Sequence, residues 1–82
     1  MLDVRAQTIK LIAEVLRIDE SSVTLSQNFK DDLGADSLDM VEIMLALEQE
    51  YRLNIPEYEE EHLKTVSGLI GYTELLASRA AA

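Results

Sequence analysis

The segment that most constrains this chain is residues 37–51, SLDMVEIMLALEQEY, which contains neither Gly nor Pro and is dominated by strong helix formers. Asp36 is placed to cap it, and Asp39 falls in the first turn, where the helix dipole favours negative charge. At 100° per residue, Met40, Ile43, Met44, Leu47 and Tyr51 share one arc, the natural core face. Leu38, Val41 and Leu45 form a second apolar stripe on the adjoining arc, beside Ser37, Glu42, Glu48 and Gln49. A small bundle needs one buried stripe per helix. The second is either the rim of a wide core or an exposed contact surface.

The remaining segments predict a small all-α, four-helix bundle of three main helices and one short one. The first helix spans 3–17, capped by Asp3, with Ile9, Ile12, Ala13 and Leu16 at helical spacing and Leu11, Val15 and Ile18 widening the stripe. Residues 18–36 form a long connection, tolerable only if Val23, Leu25, Phe29 and Leu33 pin it to the core. Gly34 supplies backbone freedom before the second helix. Residues 52–56 break that helix, and Pro56 suits the start of a short polar helix over 57–62, anchored by Tyr58 and Leu63. Thr65 caps a last helix over 66–78, with Val66, Leu69, Ile70, Thr73 and Leu76 on one side and a frayed Ala run at 80–82. Gly68 and Gly71 weaken that helix by up to about 1 kcal/mol each. No strand is expected, and at 82 residues the chain is a single domain.

Charge is concentrated. Residues 31–61 hold Asp31, Asp32, Asp36, Asp39, Glu42, Glu48, Glu50, Glu57, Glu59, Glu60 and Glu61 against Arg52 alone, a net of −10 out of a chain total of −9. A charge run of this kind is a solubilising surface or a docking face for basic partners. Such a balance disfavours nucleic acid, whose binding releases counterions to basic groups, and disfavours anionic membrane surfaces. No apolar stretch reaches the roughly 18 residues of a membrane span and no signal peptide is visible, so a soluble, mature chain is expected. The absence of Cys excludes disulfides, thiolate metal ligation and a cysteine nucleophile.

Ser37 opens the second helix, where a capping role is commonest for serine. A helix start also offers unpaired N–H groups and positive potential, a favourable place for a phosphate esterified to that hydroxyl. Asp36 and Asp39 oppose a free anion there, an objection that a covalent phosphodiester avoids. Ser37 lacks the features of a catalytic nucleophile: the G-x-S-x-G elbow is missing, and nothing places His62, expected at the surface, beside it. The acidic stretch Asp31–Glu42 fails as a calcium loop, since Ser37 stands where such a loop starting at Asp32 requires Gly. No metal site is expected.

The run DLGADSLDMVEIMLALEQEY, Asp32 to Tyr51, closely resembles the acyl carrier proteins of dissociated, bacterial-type fatty acid synthesis. The similarity extends to Asn54–Pro56, the acidic short segment and Thr65-Val66. The resemblance implies a non-catalytic, cytoplasmic, monomeric carrier with 4′-phosphopantetheine from coenzyme A on Ser37, framed by Asp36 and Leu38. The arm's thiol would carry growing acyl chains as thioesters, which would account for a chain without Cys. Leu38, Asp39, Val41, Glu42, Leu45 and Glu48 would face partners. Those partners would be a phosphopantetheinyl transferase, ketoacyl synthases, a ketoreductase, a dehydratase, an enoyl reductase and acyltransferases bearing basic patches. Phe29, Ile43, Met44, Leu47, Ile55, Leu63, Leu69 and Ile70 would be candidates to line an acyl pocket. Met40 and Tyr58 depart from the family pattern, which touches partner and chain-length preference rather than the modification site. Two alternatives stay open: an acylated adaptor held in a larger complex, and a carrier for polyketide or nonribosomal assembly. Asp36 before Ser37 favours an acyl over a peptidyl carrier.

Overall fold

The computed structural model describes residues 3–52 and 64–81. Among these residues three helices, α1 (Val4–Leu16), α2 (Ser37–Tyr51) and α3 (Val66–Ala81), pack around one apolar centre, with a 3₁₀ turn at Glu20–Ser22. The described residues contain no strand, only an isolated antiparallel bridge between Asn28 and Thr65. The short helix expected over 57–62, with its anchors Tyr58 and Leu63, lies outside the described residues.

Each helix starts where its cap stands. Asp3 Oδ1 accepts from the Ala6 N–H at 3.1 Å and opens α1. Thr65 Oγ1 accepts from the Gly68 N–H at 3.1 Å and opens α3. The α3 helix continues three residues past the expected 78, because the Ala-rich end has the highest helix propensity and Arg79 in its last turn complements the dipole. Both α1 and α2 end on an arginine in the left-handed region, Arg17 at φ 59 and Arg52 at φ 52. The Ile18 N–H then reaches back to the Ala13 carbonyl at 3.0 Å, satisfying an end carbonyl of α1.

The core joins Ile12 and Ala13 of α1, Ile43, Met44 and Leu47 of α2, and Val66, Leu69 and Ile70 of α3. Val23, Phe29 and Ala35 enter it from the long connection. Burying a side chain of the Leu, Ile or Phe class stabilises by about 1.5–3 kcal/mol, so these residues decide how the helices sit. Two expectations are corrected. Leu25 does not pin the connection: it is exposed, and its backbone does the holding, its carbonyl accepting from the Ser67 N–H at 3.0 Å. Ile18 is also exposed, because the left-handed Arg17 turns the chain away from the α1 stripe.

The connection is stitched throughout. Phe29 N–H donates to the Lys64 carbonyl at 2.9 Å and Val66 N–H to the Gln27 carbonyl at 3.1 Å. Asn28 Oδ1 accepts from the Lys30 and Asp31 N–H groups at 2.9 and 3.0 Å, closing a local turn. Gln27 Oε1 accepts from Thr24 N–H at 2.7 Å while its Nε2 donates to the Ser22 carbonyl at 2.9 Å. These bonds replace the secondary structure that a connection of this length otherwise lacks.

A left-handed conformation costs an L-residue about 1–2 kcal/mol that glycine avoids. Arg17→Gly is therefore expected to raise the unfolding free energy by about 1 kcal/mol, measured by urea denaturation. An unchanged or lower midpoint would show that the arginine side chain offsets the strain.

Candidate functional site

The start of α2 is fixed from both sides. Upstream, Gly34 adopts φ +68, and a Cβ there would meet nothing within 4 Å, so the backbone angle alone accounts for the glycine. Ala35 then buries its methyl and donates its N–H to the Phe29 carbonyl at 2.8 Å. Downstream, Asp36 and Asp39 form a reciprocal capping box. Asp36 Oδ1 accepts from Asp39 N–H at 2.8 Å, and Asp39 Oδ2 accepts from Asp36 N–H at 3.1 Å. Met40 N–H donates to the Asp36 carbonyl at 3.1 Å.

Ser37 is the first helical residue, and it is exposed. Asp36 already caps the helix, so Ser37 is not the capping serine that its position first suggests. Its hydroxyl stands at the positive end of the α2 dipole, next to the first N–H groups of the helix. The two carboxylates beside it are tied to backbone N–H groups rather than reaching across the hydroxyl.

The structure decides between the two readings of the second apolar stripe. Leu38 is 64% exposed, Val41 38% and Leu45 52%, so the stripe is surface and not core rim. Asp36 and Glu42 are exposed beside it, and Asp39 and Glu48 half-buried. On the adjoining arc, Ile43, Met44 and Leu47 are buried, and Met40 and Tyr51 pack against the core.

Of the candidate pocket residues, Phe29, Ile43, Met44, Leu47, Leu69 and Ile70 belong to one buried cluster. Ile55 and Leu63 lie outside the described residues, as do His62 and Tyr58. Ala35 is a site-positioning residue that sequence reasoning missed; its only signal was an apolar residue between Gly34 and the cap. Among the described residues no group of His, Cys, Asp and Glu could hold a metal ion, and no described helix is long and apolar enough to cross a membrane.

Comparison with known proteins adds two findings. A family model described as phosphopantetheine attachment site matches residues 6–73. The solution structure of the apo doublet acyl carrier protein from prodigiosin biosynthesis superposes with a TM-score of 0.76 at 21% sequence identity, over 88% of this chain and 35% of that one. At that identity the likeness is one of fold, and this chain spans about a third of that protein's length.

Removing an N-cap acceptor costs about 0.5–2 kcal/mol. Asp36→Ala is expected to lower stability by about 1 kcal/mol in urea denaturation, and Asp36→Asn, an equally good cap, to retain most of it. Equal losses in both would assign the effect to charge rather than to capping.

Proposed function

The chain belongs to the phosphopantetheine attachment-site family, whose cofactor is a covalently attached 4′-phosphopantetheine, and on that premise we propose that Ser37 bears the arm. The observation that carries this reading is an exposed serine at the first position of a helix whose start is held rigid by its own capping box. The other serine in a first helical turn, Ser67, is less suited. Its N–H is engaged by the Leu25 carbonyl, and its Oγ lies 3.3 Å from Thr65 Oγ1.

The residues present fit the group. Ser37 would form the phosphodiester, and the helix start would stabilise its negative charge. Asp36 and Asp39 hold the serine in place through the backbone, leaving the hydroxyl accessible to a modifying enzyme. When bound, the arm supplies a terminal thiol that carries an acyl group as a thioester. The chain's own part is to present that arm on a fixed, exposed corner and to offer a surface that partner enzymes recognise.

We assign that surface to Leu38, Val41 and Leu45 with Asp39, Glu42 and Glu48. Exposed apolar anchors among carboxylates complement a basic, partly apolar groove, and such complementarity mainly raises association rate and selectivity. Partners of this chemistry would be a phosphopantetheinyl transferase and acyl-processing enzymes such as ketoacyl synthases and acyltransferases. The resemblance of Asp32 to Tyr51 to fatty acid carriers supports a place in fatty acid synthesis. A second reading, a carrier for secondary metabolism, is favoured by the fold match to a prodigiosin-pathway carrier. Under either, the buried cluster of Phe29, Ile43, Met44, Leu47, Leu69 and Ile70 would shelter the acyl chain.

Incubation with coenzyme A and a phosphopantetheinyl transferase should add one phosphopantetheine to the wild type. Ser37→Ala should block the addition and Ser67→Ala should not, as read by intact mass. An unmodified wild type, or a modified Ser37→Ala, refutes the assignment. Glu42→Lys should slow partner enzymes severalfold at low salt and less at high salt, because ions screen the attraction. A loss independent of salt would count against electrostatic docking.

A further inference from the structure

Asn28 stands where the long connection meets the start of α3, and its bonds run away from that helix. It bridges Thr65, but the hydrogen bonds of the bridge belong to the flanking residues: Phe29 N–H donates to the Lys64 carbonyl at 2.9 Å, and Val66 N–H to the Gln27 carbonyl at 3.1 Å. The N–H and carbonyl of Asn28 itself are left to the other side. There the N–H donates to Asp32 Oδ2 at 2.6 Å. The carbonyl accepts from the Asp32 and Leu33 N–H groups at 2.9 and 3.1 Å. Asn28 Oδ1 accepts from the Lys30 and Asp31 N–H groups at 2.9 and 3.0 Å. Residues 28–33 thus form one closed turn with a reciprocal clasp, the chemistry of a capping box although no helix continues from it.

This turn leads directly to the start of α2. Only Gly34, Ala35 and Asp36 separate Leu33 from Ser37. Gly34 turns the chain at φ +68, and Ala35 N–H returns to the Phe29 carbonyl at 2.8 Å, inside the same turn. Asp32 is exposed and belongs to the acidic run, where a carboxylate reads as part of a docking face. Its Oδ2 is engaged instead on a backbone N–H, a charge-assisted bond stronger than a neutral one.

We propose that Asn28 and Asp32 are positioning residues for the modification of Ser37: their clasp holds the turn that fixes where α2 begins, and Asp32 serves this backbone role rather than partner docking. The proposal rests on the assignment of the arm to Ser37 made above. In that transfer the Ser37 oxygen bonds to phosphorus as the pyrophosphate bond of coenzyme A breaks, adenosine bisphosphate leaves, and the hydroxyl proton passes to the transferase. A small displacement of the attacking oxygen slows such a step strongly, because its rate depends on the aligned fraction of the bound complex. Loss of the clasp therefore acts on kcat. Loss of a docking charge, or a population of unfolded chain, acts on the KM for this chain.

The test combines transferase kinetics with amide hydrogen exchange on the unmodified full chain. Asp32→Ala and Asn28→Ala should each lower kcat about fivefold, the population change that loss of one capping bond produces, at low and high salt alike. Asp32→Asn and Asn28→Asp keep an acceptor at each position and should restore most of the rate. In both alanine variants the Ala35 N–H should exchange faster while the Leu47 N–H, deep in α2, keeps its protection. Equal, salt-dependent rises in KM for Asp32→Asn and Asp32→Ala would make Asp32 a docking charge and overturn the proposal. Faster exchange at Leu47 together with Ala35 would reduce it to global stability and overturn it as well, as would an unchanged kcat. If the wild type is not modified at Ser37, the carrier reading falls, and Ala35 exchange alone decides the clasp: faster in the alanine variants upholds it, unchanged removes it.

Discussion

The position of α2 depends on backbone hydrogen bonds between the long connection and the first turn of α3. Phe29 to Lys64, Val66 to Gln27 and Ser67 to Leu25 hold the connection against α3, and Ala35 to Phe29 then sets where α2 begins. Without them the connection would retain the conformational entropy of a free loop, and Ser37 would not occupy one place. Burial of Phe29 and Ala35 adds side-chain packing to the same anchor. A site raised on a stitched loop is thereby held nearly as firmly as one on a regular element.

The α2 helix carries two apolar faces that differ in exposure. Ile43, Met44 and Leu47 lose their contact with water and bind α2 into the core. Leu38, Val41 and Leu45 keep theirs, at a cost in solvation that a bundle of this size gains nothing from internally. Asp36, Asp39, Glu42 and Glu48 stand beside this second face, and like charges so placed repel one another. Both costs would be offset on the partner surface proposed above, where the apolar groups would supply contact and the carboxylates steering.

Much of this was legible from residue order. The bounds of α2, its Asp36 cap and its core face follow from helix propensity, capping chemistry and spacing, all of which act within a few residues. Leu25 was not legible: its apolar side chain suggested burial, but backbone pairing with Ser67 holds it at the surface.

The sequence by itself determined the all-α class, the start of each described helix and the concentration of acid around Ser37, because these rest on local chemistry and on charge counted along the chain. Tertiary structure alone decided that the Leu38, Val41 and Leu45 stripe is surface and that Ala35 anchors the site. Exposure and pairing are relations between distant segments. They are settled only when α1, α2 and α3 compete for the same limited core, and no single segment encodes the outcome.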